Sequence, residues 1–228
     1  MLETEIKIDI AYSIPDTLEA LHKRHGRSHQ GAEHIRDVIY GHENKSKVRL
    51  RSSYSHIHGM RYIVELKEHQ TSTNGMKNEL ETVLYDGASK EEALQAITSY
   101  DDNFKAESAY DKIRYTYQTK TVIITVDIYP YGAWLEIEGD KAEIIREVAE
   151  LGFDLKNAIA DKADDLYQKW CTDNNLSEQY DVKFGIPQTV KRQRDQTGKY
   201  INKRIWGAEK LWAGQIPAPS TKILLIFD

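Results

Sequence analysis

Cysteine is nearly absent. Cys171 is the only one in 228 residues, so no internal disulfide can form, and a reducing compartment, the cytoplasm by default, is the natural expectation. Long apolar runs are missing too. No stretch of 18 apolar residues occurs, which predicts no membrane span. The opening MLETEIKID is charged and lacks the apolar segment of a signal peptide. Internal repeats and low-complexity segments are also lacking. What remains is a chain with 40% hydrophobic residues, enough for a packed core, of a length that suits one domain with an appendage or two small ones.

The net charge of −5 hides an asymmetry. Residues 187–228 carry eight Lys/Arg against three acids, whereas residues 1–186 carry 23 bases against 33 acids. The chain therefore reads as an acidic body, placed at 1–176, followed by a basic extension over 177–228.

Strand-like stretches come first, at 2–10, 47–52, 60–67, 78–84, 110–117, 121–129 and 133–138. Helical stretches interrupt and follow them. Pro15 opens one near 15–24. Ser89 with Glu92, and Asp140 with Glu143, make capping-box patterns before apolar residues at helical spacing, and Gly152 is placed to end the second of these helices. A further helix is expected over 155–173, carrying Ile159, Leu166, Tyr167 and Trp170.

Residues two apart in a strand share a face, and here one face of nearly every strand is charged. Glu3, Glu5, Lys7 and Asp9 oppose Leu2, Thr4, Ile6 and Ile8. Arg49 and Arg51 oppose Val48 and Leu50. Arg61, Glu65 and Lys67 oppose Tyr62, Val64 and Leu66. Glu79 and Glu81 oppose Leu80 and Leu84. Lys112 and Arg114 oppose Ile113 and Tyr115. Asp127 opposes Val126 and Ile128, and Glu136 and Glu138 oppose Leu135 and Ile137. An antiparallel sheet with one wet face meets this alternation equally well. Yet clustered carboxylates repel one another unless a cation sits among them, and clustered guanidinium and ammonium groups seek an anion. A face carrying both fits a metal–polyphosphate complex. Closed into a barrel, that face becomes a lumen and the apolar faces pack under helices.

The order of these motifs resembles the CYTH, or triphosphate tunnel metalloenzyme, superfamily. Glu3-Thr4-Glu5-Ile6-Lys7 matches its E-x-E-x-K signature, Lys47-Val48-Arg49-Leu50-Arg51 its arginine strand, and Glu65-Leu66-Lys67 the T-x-K strand. Asn78-Glu79-Leu80-Glu81 is similar to its E-x-E strand, Lys112-Ile113-Arg114 to its K-x-R strand, and Gly132-Ala133-Trp134-Leu135-Glu136-Ile137-Glu138 to its G-x-F-x-E-x-E segment. The likeness spans about residues 1–170. Two departures stand out: Arg36-Asp37-Val38-Ile39-Tyr40 where the family often has Y-x-D-T, and Lys162-Ala163-Asp164-Asp165-Leu166 where it often has a Ser-Tyr pair.

The resemblance implies an α+β fold, a closed eight-stranded antiparallel barrel with helices outside, and activity on a triphosphate with Mg²⁺ or Mn²⁺. Glu3, Glu5, Glu136 and Glu138, with Asp127, are the candidate metal ligands; solvated acids or ion pairs with neighbouring bases are the bland alternative. Arg49, Arg51, Lys67, Lys112 and Arg114 are the candidate phosphate ligands, with Arg61 a lesser one. Lys7 stands beside the acids, to touch phosphate or orient a water, and Lys7, Glu5 and Arg51 are the expected catalytic groups. Phosphoryl transfer needs mainly positioning and charge stabilisation, so no covalent nucleophile is required. Three functions follow: hydrolysis of inorganic, nucleoside or thiamine triphosphate; class IV adenylate cyclase activity; and non-catalytic binding of polyphosphate or an RNA 5′ end.

The remaining polar features read as surface. His22, His25, His29 and His34 lack a cysteine partner and are expected to be solvated, as are His56 and His58 at a turn. In the extension, basic residues alternate with Tyr200, Trp206 and Trp212, a pattern found in nucleic-acid binders. The apolar run Ile223–Phe227 points instead to a segment folded against the barrel. A small triphosphate compound is thus the expected partner, with no membrane and a monomer or homodimer as the working state.

Overall fold

Every charged–apolar alternation read above becomes a strand. The computed structural model describes residues 2–28, 31–41, 47–73 and 76–184, together with four two-residue strands between 188 and 205. In chain order the elements are β1 (Leu2–Asp9), α1 (Ile14–His25), β2 (Ala32–Gly41), β3 (Lys47–Ser55), β4 (Gly59–Thr73), β5 (Met76–Gly87) and α2 (Lys90–Tyr100). Then follow β6 (Lys105–Gln118), β7 (Val122–Tyr129), β8 (Gly132–Gly139), α3 (Lys141–Glu150), β9 (Ala158–Ile159), α4 (Ala163–Asp173) and β10 (Asp181–Val182). Among the described residues no helix is long and apolar enough to cross a membrane.

The fold is α+β, with one ten-stranded, mainly antiparallel sheet and four α-helices among the described residues. Its strands run in the order β10-β6-β2-β3-β4-β5-β1-β8-β7, and β9 adds to β1. The long strand β6 changes neighbours along its length. It pairs with β2 from Lys105 to Tyr115, and from Ile113 onward also with β7. Only β10 runs parallel, placing Asp181 and Val182 beside Ala109 and Tyr110.

The apolar faces turn outward, under helices. Ile6, Ile8, Ile124, Val126, Leu135 and Ile137 meet Leu21 of α1 and Ile144 and Val148 of α3. Val48, Leu50, Val64 and Leu66 meet Ala93 and Ile97 of α2. Each such buried aliphatic side chain contributes about 1.5–3 kcal/mol. The helices begin and stop where the caps stand: Ser89 Oγ accepts from the Glu92 amide, Asp140 from the Ala142 amide, and Gly152 turns left-handed at φ 80° behind α3.

Three expectations need correction. Residues 155–173 are not one helix. A 3-10 turn over Leu155–Asn157, capped by Asp154, leads into Ala158–Ile159, which pairs with Lys7 and Ile8 beyond the point where β5 leaves β1; only α4 is helical. The strand β2 was not anticipated at all. Nor is His25 solvated: it lies 2.6 Å from Glu147 Oε1, a carboxylate that also accepts from Arg24 and ties α1 to α3. His22 packs edge-on against Tyr117. His56 and His58 are exposed in the β3–β4 turn, as expected. His29 lies outside the described residues.

In the extension, Gln188–Thr189 pairs with Arg204–Ile205, and Gln193–Arg194 with Tyr200–Ile201. The expectation that 187–228 packs on the barrel lies otherwise outside the described residues.

Candidate functional site

The inward face is a lattice of cross-strand ion pairs set by register. Asp37 on β2 stands opposite Arg51 on β3 and accepts a fork of two 2.8 Å bonds from it. Arg49 opposes Glu65 on β4 and donates to it at 2.9 Å from Nε. Lys67 opposes Glu81 on β5 and bonds it. Arg114 on β6 opposes Asp127 on β7 and donates at 2.6 Å. Lys7 opposes Glu136 on β8 at 3.2 Å. Five opposite-charge pairs thus face one another directly, the arrangement that stabilises a sheet.

The same register also sets like charges opposite each other. Glu5 faces Glu138 across β1 and β8, and Lys47 faces Lys67 across β3 and β4. Like charges directly opposite destabilise a ladder. Lys47 is partly compensated by Glu107 at 3.2 Å. The backbone register also puts Glu3 opposite Glu79, whose side chains lie outside the described residues.

Two cavities open along this face. The first, of about 290 Å³, is lined by seven bases and four acids, a surplus of three positive charges; it holds Lys47 and Lys67. The second, of about 240 Å³, is lined by four bases and five acids and holds Glu138. Glu5, Arg49, Lys67, Arg114 and Glu136 border both, so the cavities meet at a charged waist. The first runs up to a cluster of rings, with Tyr110, Tyr129, Trp134 and Tyr167 packed together.

Charge in this wall is fixed by burial and by neighbours together. Burial would push the Asp37 carboxyl up, but Arg51 and Lys112 hold it well below the usual carboxylate range. Glu136 is depressed likewise, with Lys7 and Arg114 overcoming its burial. Burial alone would lower the Lys7 ammonium, and Glu136 and Glu5 more than offset it, so its pKa rises. Lys112 goes the other way. Burial and the adjacent Arg114 pull it down to about 8, although Asp127 accepts from it at 2.7 Å and Asp37 lies 3.6 Å away.

Nine of the residues singled out from the sequence line one or both cavities: Glu5, Lys7, Arg49, Arg51, Lys67, Lys112, Arg114, Glu136 and Glu138. Asp127 does not. It is fully buried behind the wall, where it orients Lys112 and Arg114. Arg61 stands apart, exposed and forked onto Asp86. The Glu3 side chain lies outside the described residues. Among the described residues no group of three or more His, Cys, Asp or Glu stands close enough to hold a metal ion. Asp37 was missed by the sequence reading, as were Tyr110, Tyr129, Lys162 and Asp164. Asp37 stands directly opposite Arg51, but the sequence of its strand does not alternate charged with apolar residues.

No family model matches the sequence, and no curated protein matches it. Solved structures do. A protein of Pyrococcus horikoshii OT3 aligns with a TM-score of 0.56 and 19% identity, over 73% of this chain and 98% of its own. A "putative adenylate cyclase" of Vibrio parahaemolyticus aligns at 0.52 and 13%, over 74% and 98%. The Schizosaccharomyces pombe Mediator head module aligns at 0.50 and 10%, over 67% and 95%. The chain therefore shares the fold of these structures.

Proposed function

We propose that the charged face encloses a tunnel in which a triphosphate is hydrolysed with the help of a divalent cation. The observation that carries this reading is that two adjoining cavities share a charged waist, the first lined with a surplus of bases and the second with five acids. Lys47 beside Lys67 favours an anion, and Glu5 beside Glu138 favours a cation. The return of β6 onto β7 supports a closed wall around both.

The carboxylate oxygens of Glu5 and Glu138, opposite each other on β1 and β8, are of the kind a hard cation takes. Bound Mg²⁺ or Mn²⁺ would neutralise phosphate oxygens. The chain's own groups do the rest. Arg49, Lys67 and Arg114 at the waist, with Lys47 and Lys112 beyond, offer donors to non-bridging oxygens. Their ion-pair partners keep these donors preorganised, so little reorganisation accompanies charge build-up in the transition state. Lys7, which lines the first cavity, is fixed by Glu136 and by the carbonyl of Asp161 at 3.2 Å. Glu136, held ionised, is suited to accept a hydrogen bond rather than to donate a proton. The name of the Vibrio neighbour favours a second reading, cyclisation of ATP with release of pyrophosphate.

The test is the purified protein with Mg²⁺ or Mn²⁺ and a panel of tripolyphosphate, ATP, GTP and thiamine triphosphate, scored for phosphate, pyrophosphate and cyclic nucleotide. Phosphate release is expected, lost in EDTA and restored by the metal. Glu138→Gln should slow it by about 100-fold or more with the fold intact. Turnover indifferent to EDTA removes the cation from the mechanism, and cyclic nucleotide as the main product replaces hydrolysis with cyclisation.

A further inference from the structure

The long strand β6 is irregular where it approaches the first cavity. Tyr110, Lys112 and Arg114 line that cavity, so strict alternation would send Ser108 to the same face and Glu107 to the opposite one. The pairing with β2 breaks between Ile39–Ser108 and Tyr40–Ala106, which leaves Glu107 as an extra residue in the ladder, a β-bulge. A bulge re-aims a side chain. Here the Glu107 carboxylate reaches across β2 to Lys47 on β3 and meets its ammonium at 3.2 Å. The residue of β2 at this point is Gly41, paired with Lys47 on one side and with Lys105 on the other. A methyl group at Gly41 would overlap the Glu107 carboxylate, so the reach depends on that position being bare.

Lys47 lines the first cavity and stands opposite Lys67, whereas Glu107 is not part of the lining. The two side chains are 46% and 47% exposed, and an ion pair so open to water holds weakly. Asp164, at the start of α4, feels both groups: burial raises its carboxyl, Lys47 opposes the rise and Glu107 adds to it. We propose that Glu107 is a displaceable counter-ion, which occupies Lys47 in the absence of substrate and yields it to a phosphate oxygen. Glu107 thereby tunes the affinity for the anion without touching it. The proposal rests on the triphosphate reading above, which places an anion beside Lys47, and adds a residue that the reading itself does not use. The buried Arg51–Asp37 pair cannot act in this way, because separating it would leave buried charges without partners. The competing account is that the Lys47–Glu107 pair only fastens β3 to β6 across β2.

Calorimetric titration of the full chain with tripolyphosphate, in the presence of Ca²⁺ to slow turnover, separates these accounts. Glu107→Gln removes the competing charge, and Gly41→Ala pushes the carboxylate aside while keeping it. Each should lower the tripolyphosphate Kd by roughly two- to fivefold, the range an exposed ion pair spans. In a Lys47→Ala background neither substitution should change the Kd. A Kd unchanged or raised by Glu107→Gln overturns the proposal. So does a tightening of the same size without Lys47, which marks a general loss of negative charge. If Gly41→Ala does not fold, Glu107→Gln with and without Lys47→Ala decides alone, with thermal unfolding to show that these chains are folded. A wild type that does not bind tripolyphosphate sinks the triphosphate reading and this proposal with it, whereas variants that match a binding wild type sink only the role of Glu107.

Discussion

Two arginine–aspartate forks, built alike, sit in opposite surroundings. Arg51 grips Asp37 across β2 and β3 with both partners buried, and Arg61 grips Asp86 across β4 and β5 with side chains 49% and 41% exposed. Both are bidentate and both have bonds below 3 Å. The exposed fork competes with water and salt. The buried one has no such substitute, and Lys112 leans on the same carboxylate. Geometry alone therefore does not tell which pair matters; burial and shared partners do.

The largest effect that would sharpen this contrast is expected from Asp37→Ala. Removing it leaves Arg51 and Lys112 buried without their acid, and a loss of about 3–5 kcal/mol in urea unfolding follows. A loss below about 1 kcal/mol would mean that water reaches this wall freely.

A pH scan comes next. Lys112 binds its proton less tightly in the fold, near pH 8, than in the unfolded chain, near 10.5. Between those values the unfolded state holds more protons, so this group makes stability rise with pH across that window. The sign is the same for Asp37 and Glu136, in a window at lower pH. Their depressed values give stability that is complete above the usual carboxylate range and lost as pH falls through the folded values. Anion binding should move against the Lys112 stability term. Tripolyphosphate affinity is expected to drop as pH passes about 8, by up to roughly tenfold, and Lys112→Arg should remove the step. A step that survives the substitution belongs to another group.

The smallest effect is expected at the exposed fork: Arg61→Ala should cost about 0–1 kcal/mol and leave triphosphate affinity unchanged. A loss as large as that of Asp37→Ala would erase the distinction between the two forks.

The sequence disclosed the inward face wherever a strand alternates full charges with aliphatics, as in β1, β3 and β8. It failed at β2 for a physical reason. Val38 and Tyr40 pack outward against the α2 core, and Ile35 and Ile39 are buried on the other face, so both faces of AEHIRDVIYG are partly apolar and period two disappears. A register shift between Ile39 and Tyr40 blurs it further. Asp127 was legible as inward but not as buried behind its neighbours, because depth depends on Lys112 and Arg114 reaching across from β6. The ring-lined end was hidden for a related reason. Its parts come from β2, β6, β7 and the start of α4, and only β9, two residues long, brings α4 there.

That β1 takes its partners from β5 and β8 also has a kinetic side. It precedes the other strands of the sheet in the chain, and Glu5 meets Glu138 only after seven further strands have been made. Loop-closure entropy falls on this one strand, so its docking belongs late in folding. The two acids that repel each other most directly are thereby kept apart until the rest of the wall exists, and a cation captured at that moment would speed the final closure as well as occupy the finished site.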